Sequence, residues 1–198
     1  MRELVSSVES FNSDGYTHTA VVWKEGDTMF IGTTLDSEFD INTIKGNKLN
    51  DEDVYPPVNS QMRKCTDIAD FYIKAPELAY YDINPDLTKT LMISEIECLE
   101  EISKSGTHPY VVQYHGCQIR DGLIVGICLE KCLYTLDDAI DMGLVIDVDA
   151  FIHKVKLGLE FIHNAGYVHD DIHSGNIMVM ENGDPKLKAI GSAQYIST

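Results

Sequence analysis

The sequence predicts an α+β protein of two lobes, the first rich in β-strands and the second mainly helical and incomplete. Three patterns favour this class. β-Branched and aromatic residues on both sides of a turn at residues 24–27 predict a β-hairpin. Two later segments carry apolar residues at helical spacing, and an Asn-Gly pair at residues 182–183 predicts another hairpin. The predicted lobes cover residues 1–132 and 133–198.

The first lobe is predicted to begin with strands and a connector. Its hairpin pairs Thr17–Trp23 with Thr28–Thr34. The polar stretch from Asp36 to Asp70 predicts an extended connector with little regular structure. Phe71–Lys74 then reads as a short strand, which must end before Pro76 because proline lacks the N–H that a ladder needs.

A helix from Leu87 to Ile102 is the next predicted element. Its apolar residues recur on one face, and they are Met92, Ile96, Leu99 and Ile102. Glu95 falls within this apolar stripe. Because an unpaired buried charge is costly, Glu95 either pairs with a cation or sits at the helix edge and reaches water.

Two strands and a short helix are predicted after this helix, on both sides of the boundary between the lobes. The strands are predicted at Val111–Tyr114 and Leu123–Leu129, around a turn at residues 120–122. The short helix covers Leu136–Met142.

The second lobe centres on a longer helix and a hairpin. Asp149 is the predicted N-cap of this helix and Gly166 ends it, with apolar residues on one face at Phe151, Ile152, Val155, Leu159 and Ile162. The hairpin pairs Ile177–Met180 with Pro185–Ile190.

Composition limits the partners. The formal net charge of −17 argues against nucleic acid and against an anionic membrane surface, because both would repel the chain. Five cysteines without CxxC spacing indicate reduced thiols, and no signal peptide or bilayer-spanning stretch is present. We therefore expect an intracellular protein, either cytoplasmic or nuclear.

The segment from His169 to Asn176 carries the residues best suited to chemistry. Asp171 and Asn176 lie five apart between a long helix and a tight hairpin. A carboxylate there can accept the proton of a substrate hydroxyl, while the amide oxygen of Asn176 can bind a hard cation such as Mg²⁺. The alternative is that these are turn residues that satisfy backbone groups, which the spacing and context make a poor explanation.

This segment resembles the catalytic loop of eukaryotic protein kinases, in the form H-x-D-[LI]-x-x-x-N. Other motifs from Tyr55 onward agree, including the strand that ends at Lys74, the helix that carries Glu95, and the turn at His108-Pro109. Leu129, Glu130 and Cys132 resemble the gatekeeper and hinge of that family. Two-lobed protein-kinase-like folds have the element order predicted above.

The resemblance implies a role for each matching residue. Lys74 would hold the phosphates of ATP, and Glu95 would position Lys74. Backbone groups at Glu130 and Cys132 would meet the adenine edge, and Leu129 would also lie in the nucleotide site. Asp171 would act as the catalytic base, His173 would donate to the transferred phosphoryl group, and Asn176 would be a ligand of Mg²⁺.

Two departures point to a subgroup. His173 replaces the lysine usual in serine/threonine kinases, a form also seen in aminoglycoside and choline phosphotransferases. The stretches 54–57, 72–76 and 114–122 resemble an expanded fungal family of small protein-kinase-like proteins.

Three breaks in the pattern bear on activity. Nothing upstream of Lys74 matches a glycine-rich phosphate loop, since the turn at residues 24–27 has a single glycine. The exit of the last hairpin aligns with the metal-binding triplet, and there Ala189 replaces the aspartate. The chain also stops at Thr198, shortly after that triplet.

If the protein ends there, the longer helix of the second lobe would lack part of its packing partners. Its inner residues, Phe151, Val155, Leu159 and Ile162, would form an exposed patch for another protein, or the monomer would be poorly stable. The sequence could equally be a fragment of a longer product.

Three functions are compatible with these patterns. The favoured one is a catalytically impaired protein-kinase-like protein that still binds nucleotide. The second is an active ATP-dependent phosphotransferase on protein or small-molecule hydroxyls. The third is an interaction module that binds no nucleotide.

Overall fold

The computed structural model describes residues 1–13, 15–76, 78, 81, 85–188 and 194–195. They form two compact units. The first contains residues 1–57 and 76–90, and the second contains residues 58–75 and 91–198. The predicted lobe boundary after residue 132 lies inside the second unit and stays a prediction.

The first unit contains a four-stranded antiparallel sheet in the order β1-β2-β3-β4. The strands are β1 (Arg2–Asn12), β2 (Gly15–Glu25), β3 (Thr28–Thr34) and β4 (Gly46–Lys48). β2 and β3 form the predicted hairpin, with Glu25 opposite Thr28 and Gly26 at φ 64° in the turn. Glycine suits that left-handed position because it has no Cβ to clash. β1 was not predicted from the sequence.

Trp23 anchors the core of this sheet. Its side chain is buried, and the guanidinium of Arg2 lies 4.7 Å from the centroid of its ring. Arg2 also donates to the backbone oxygens of Ile41 and Ile44 at 2.8 and 2.7 Å.

The predicted connector between residues 36 and 70, all of which are described, holds only two named elements. They are β4 and the single-turn helix α1 (Asp51–Val54). The prediction of little regular structure is confirmed.

The second unit contains a three-stranded antiparallel sheet in the order β5-β7-β6. The strands are β5 (Phe71–Lys74), β6 (Tyr114–Arg120) and β7 (Leu123–Glu130). The strand predicted at Val111–Tyr114 is wrong, because β6 starts only at Tyr114. The backbone of Val111 and Val112 instead pairs with Leu187, whose oxygen accepts from Val112 N at 2.8 Å.

The helix predicted at Leu87–Ile102 is confirmed as α2 (Pro85–Lys104). Its predicted apolar face is buried at Met92, Ile96, Leu99 and Ile102. These residues pack into one cluster with the sheet and with later elements of the second unit. Burial of this face anchors the segment of α2 that carries Glu95.

Two further helices follow, α3 (Leu136–Asp141) and α4 (Val148–Asn164). Thr135 and Asp138 form a capping box at the start of α3. The predicted N-cap Asp149 is wrong by two residues, because Asp147 has the extended backbone of a cap and its side chain accepts from Ala150 N. Gly166, at φ 89°, follows the last turn of α4 as predicted.

Short strands surround the loop of interest. They are β8 (Tyr134–Thr135), β9 (Tyr167–Val168), β10 (Ile177–Val179), β11 (Pro185–Leu187) and β12 (Gln194–Tyr195). β11, β10 and β8 form one sheet, and β12 pairs with β9. The predicted second hairpin is confirmed as β10 and β11, although residues 189 and 190 of its exit lie outside the described residues.

The inner face of α4 differs from the expectation of an exposed patch. Phe151 and Ile162 are buried, and Val155 and Leu159 pack against the cluster of the second unit. The 110–112 segment and β11 cover this face, and Gly158 lies so close that an added Cβ would meet Tyr110 O at 2.7 Å. Of the apolar residues on α4, Val148 and Ile152 are the exposed ones.

The described part of the chain contains no helix that is long and apolar enough to cross a bilayer.

Replacing Ile162 by alanine tests whether α4 is packed in this way. Ile162 is 1% exposed, whereas Ile152 on the same helix is 47% exposed. Ile162→Ala should lower the free energy of unfolding by about 2–5 kcal/mol, because it leaves a cavity in the cluster. Ile152→Ala should change it by less than about 0.5 kcal/mol. Urea unfolding followed by far-UV circular dichroism measures both, and equal losses would contradict the burial of this face.

Candidate functional site

An ion pair joins β5 to α2. The Nζ atom of Lys74 donates to Oε1 and Oε2 of Glu95 at 2.6 and 2.7 Å. Glu95 is 8% exposed, while the side chain of Lys74 is 41% exposed. The structure therefore resolves the two alternatives for Glu95 in favour of a cationic partner, and the predicted pairing with Lys74 is confirmed.

This pair holds the ammonium group of Lys74 in a fixed place. Antiparallel pairing of β5 with β7 sets Lys74 opposite Ile127, and burial of the α2 face sets the position of Glu95. Glu95 accepts two of the hydrogen bonds that an ammonium can donate, which leaves a donor for a ligand.

The same carboxylate affects a neighbouring thiol. Burial and the nearby Glu95 carboxylate raise the pKa of Cys98 to about 11, so this thiol is inert at neutral pH.

Asp171 and Asn176 lie together in the loop after β9. Nδ2 of Asn176 donates to the backbone oxygen of Asp171 at 3.1 Å and to its Oδ2 at 2.9 Å. The side chain of Asp171 is 53% exposed. The amide thus orients the carboxylate while leaving it open to a hydroxyl substrate, which is the arrangement that a general base requires.

His173 lies beside this pair. Its Nδ1 accepts from Gly175 N at 3.1 Å. Nε2 lies 3.6 Å from Asp171 Oδ2 and 2.7 Å from Asn176 Nδ2. The three loop residues predicted from the sequence, Asp171, His173 and Asn176, are therefore brought together.

His169 fastens the loop to the segment after β11. It is 4% exposed, and its Nε2 lies 2.8 Å from the backbone oxygen of Lys188. Because a carbonyl only accepts, Nε2 must carry the proton. Burial lowers the pKa of His169 and favours the neutral ring, although the bond to Lys188 acts in the opposite direction. Nδ1 of His169 has no hydrogen-bond partner among the described residues.

Lys188 connects the predicted parts of the site. Its backbone N–H donates to Asn176 O at 3.1 Å, and its Nζ donates to Gly175 O at 2.8 Å. Burial and the ammonium of Lys74 lower the pKa of Lys188, while Cys132 and Asp138 act in the opposite direction. The Lys188 ammonium therefore lies within electrostatic reach of both Lys74 and the predicted hinge.

The predicted hinge follows β7, which ends at Glu130. The carboxylate of Glu130 accepts two hydrogen bonds from Lys186 Nζ, at 2.6 and 2.7 Å. Its backbone N–H donates to Gln113 O at 2.9 Å. Leu129 is buried, and burial together with Glu130 raises the pKa of the half-buried Cys132 thiol to about 11. Lys186 ties the hinge to β11.

Lys186 was missed by the sequence analysis. The sequence does show a lysine, Lys186, in the strand before the predicted triplet and an acidic residue, Glu130, at the predicted hinge. These two residues were the only signal for the pair. The two residues are 56 positions apart, and nothing local in the sequence connects them.

The described residues fit a magnesium ion poorly. Within the described ranges, no group of three or more histidine, cysteine, aspartate or glutamate side chains could hold a metal ion. Asn176 offers one neutral amide oxygen. Ala189, which the sequence analysis assigns to the position of the metal-binding aspartate, has no ligand atom in its side chain and lies outside the described residues.

The fold and the paired lysine together define a protein-kinase-like protein. The family model described as protein kinase domain matches residues 59–198, which is more than two thirds of the chain and includes every residue of the site. The chain belongs to the protein kinase family.

Curated relatives agree with this assignment. Serine/threonine-protein kinase TAO1-B of Xenopus laevis is 31% identical over 110 residues, which cover 54% of this chain and 10% of that protein. TAO3 of Gallus gallus and TAO2 of Homo sapiens are each 28% identical over 110 residues, and the match covers 12% and 8% of those proteins. The chain therefore spans about a tenth of the length of these relatives.

The buried His169 predicts a pH dependence of stability. As the pH falls through the ordinary value of 6.5, the histidine of the unfolded chain takes up a proton. In the folded protein the pKa of His169 is lowered, so the ring takes up its proton only at a lower pH. The free energy of unfolding should therefore fall as the pH drops from 7 towards 5.5, by at most about 1.4 kcal/mol per pH unit for this proton. His108 and His115, whose pKa values burial also lowers, add to the same trend.

His169→Gln isolates the contribution of one ring, because glutamine keeps an N–H donor but does not titrate. The variant should lose stability less steeply between pH 7 and 5.5 than the wild type. The exposed His153, replaced in the same way, controls for the loss of a histidine as such. Chemical denaturation at each pH gives the slopes, and parallel slopes for wild type and His169→Gln would contradict the assignment.

Proposed function

We propose that this protein binds a nucleoside triphosphate in a kinase-type site and that its metal-dependent phosphoryl transfer is impaired. The observation that carries the proposal is the ion pair between Lys74 and Glu95, because it fixes a cation next to the strand that leads to the hinge. The impairment rests on Ala189. ATP is the nucleotide that the family membership favours.

Nucleotide binding would use two groups of residues, one for the phosphates and one for the adenine base. The free donor of Lys74 would meet the phosphates, with Glu95 holding the ammonium in place. The carbonyl of Glu130 and the backbone of Cys132 would meet the adenine edge, since the N–H of Glu130 already donates to Gln113. The buried side chain of Leu129 would pack beside the base.

Phosphoryl transfer would use the loop residues. Asp171 would accept the proton of a hydroxyl, and His173 would donate to the transferred group. The charge of that group needs neutralisation, which kinases obtain from metal ions held by an aspartate and an asparagine. A methyl group at position 189 provides no such ligand. Losing one stabilising group of this kind typically costs about 3 kcal/mol, or roughly a hundredfold in rate.

Removing the Lys74 ammonium tests nucleotide binding. ATP should raise the melting temperature of the wild type with or without Mg²⁺, and Lys74→Ala should abolish this shift. Lys64→Ala, a change at an exposed lysine of the same unit, should leave the shift intact. Thermal-shift titration compares each variant with and without ATP, so a change in basal stability cancels.

Each outcome of this titration has a meaning. A shift that survives in Lys74→Ala contradicts the role of Lys74. A shift that requires Mg²⁺ favours the active phosphotransferase. No shift in the wild type favours an interaction module that binds no nucleotide.

Restoring the aspartate tests the impairment. Ala189→Asp should make ATP binding tighten with Mg²⁺ by about tenfold or more, because a carboxylate adds a charged ligand. Ala189→Asn, which supplies a neutral oxygen of the same shape, should gain much less. Isothermal titration calorimetry with and without Mg²⁺ measures the difference. If Ala189→Asp matches the wild type, the alignment of the hairpin exit is wrong.

A further inference from the structure

Lys188 is a cation in the site, and no carboxylate of the described residues forms an ion pair with it. Among the described residues, its Nζ has one hydrogen-bond acceptor, the backbone oxygen of Gly175 at 2.8 Å. An ammonium can donate three hydrogen bonds, so two donors are available for a ligand. The side chain is half-buried, which limits the water that can compensate for the missing bonds.

Two other lysines of the second unit have the carboxylate partner that Lys188 lacks among the described residues. Lys186, two residues earlier, donates to both carboxylate oxygens of Glu130, and Lys74 does the same with Glu95. Asp138 attracts Lys188, but its Oδ2 already accepts from the backbone and the hydroxyl of Thr135 in the capping box of α3. Among the described residues, no carboxylate therefore lies in ion-pair contact with Lys188.

The position of this charge is set by the backbone. The segment of Lys188 is held to the loop by its own N–H, which donates to Asn176, and by its oxygen, which lies against His169. The ammonium of Lys74 is near enough to lower the pKa of Lys188. Two like charges that are both partly withdrawn from water destabilise one another unless an anion lies near both.

We propose that Lys188 is a phosphate-binding residue and that Lys74 and Lys188 together hold the triphosphate of a nucleotide without a metal ion. This inference rests on the proposed function and names the cation that replaces the missing metal. It follows from the disagreement noted above, in which the described residues fit magnesium poorly, and from the contact of the Lys188 ammonium with the loop that carries Asp171 and Asn176.

The proposal accounts for how an anionic ligand could enter this protein. The chain has a net charge of −17, which opposes the approach of a polyphosphate unless local cations attract it. A bound phosphate would accept the free donors of Lys188 and relieve its repulsion with Lys74. The affinity should therefore depend on the number of phosphates, and magnesium should not be required.

The test compares ligands that differ only in phosphate content. Binding of ATP, ADP and adenosine to the full chain is measured by calorimetry in the presence of EDTA. The variants are Lys188→Met, which removes the charge and keeps the stem, and Lys188→Arg, which keeps the charge. Lys156→Met, at an exposed position of α4, is the matched control.

The expected result is specific to phosphate. Lys188→Met should weaken ATP binding by about tenfold or more, because a charged hydrogen bond is lost, and should leave adenosine binding unchanged. Lys188→Arg should restore most of the ATP affinity, and Lys156→Met should match the wild type. Unchanged adenosine binding also shows that the Lys188→Met protein is folded.

Other results would overturn the inference in distinguishable ways. If ATP affinity in EDTA is the same in Lys188→Met, or falls together with adenosine affinity, Lys188 does not bind phosphate and the proposed function stands. If the wild type binds ATP only with Mg²⁺, the metal-free site is wrong. If the wild type binds neither ATP nor adenosine under any condition, the proposed function fails as well.

Discussion

The carboxylate of Glu95 sits on the buried face of a helix, and such a charge is tolerated only next to a cation. Lys74 supplies that cation from β5, and so the pair fixes the strand and the helix relative to one another within the second unit. β5 pairs with β7, whose end is the predicted hinge, and the charge of Lys74 in turn acts on Lys188. The placement of the Lys74 ammonium in the candidate site therefore depends on this one ion pair.

Elements with a strong periodic signal were predictable from the sequence. The apolar stripe of α2, the turn between β2 and β3, and the Asn-Gly turn before β11 each follow from local rules that need no tertiary partner. The residues of the candidate site that occur together in one sequence motif were also predictable. Asp171, His173 and Asn176 lie within six positions of one another, and their contacts are local.

Other features depend on distant partners and gave no local signal. The acidic residues Asp147 and Asp149 are both reasonable caps, and only the backbone of the folded chain selects the first. The polar strand β1 forms because β2 offers it an edge, and Lys186 finds Glu130 across 56 positions. The inner face of α4 is covered by β11 and the 110–112 segment, which the prediction of an exposed patch did not foresee.

The thiol of Cys132 has a consequence for inhibitor design. Cys132 belongs to the predicted hinge, and a cysteine there would invite electrophilic, nucleotide-competitive compounds that form a covalent bond with it. Here burial and the Glu130 carboxylate raise the pKa of Cys132 to about 11. Very little of the reactive thiolate would therefore be present at neutral pH. Acrylamide-type warheads aimed at this residue would therefore label it slowly, and reversible compounds are the better chemical probes for this protein.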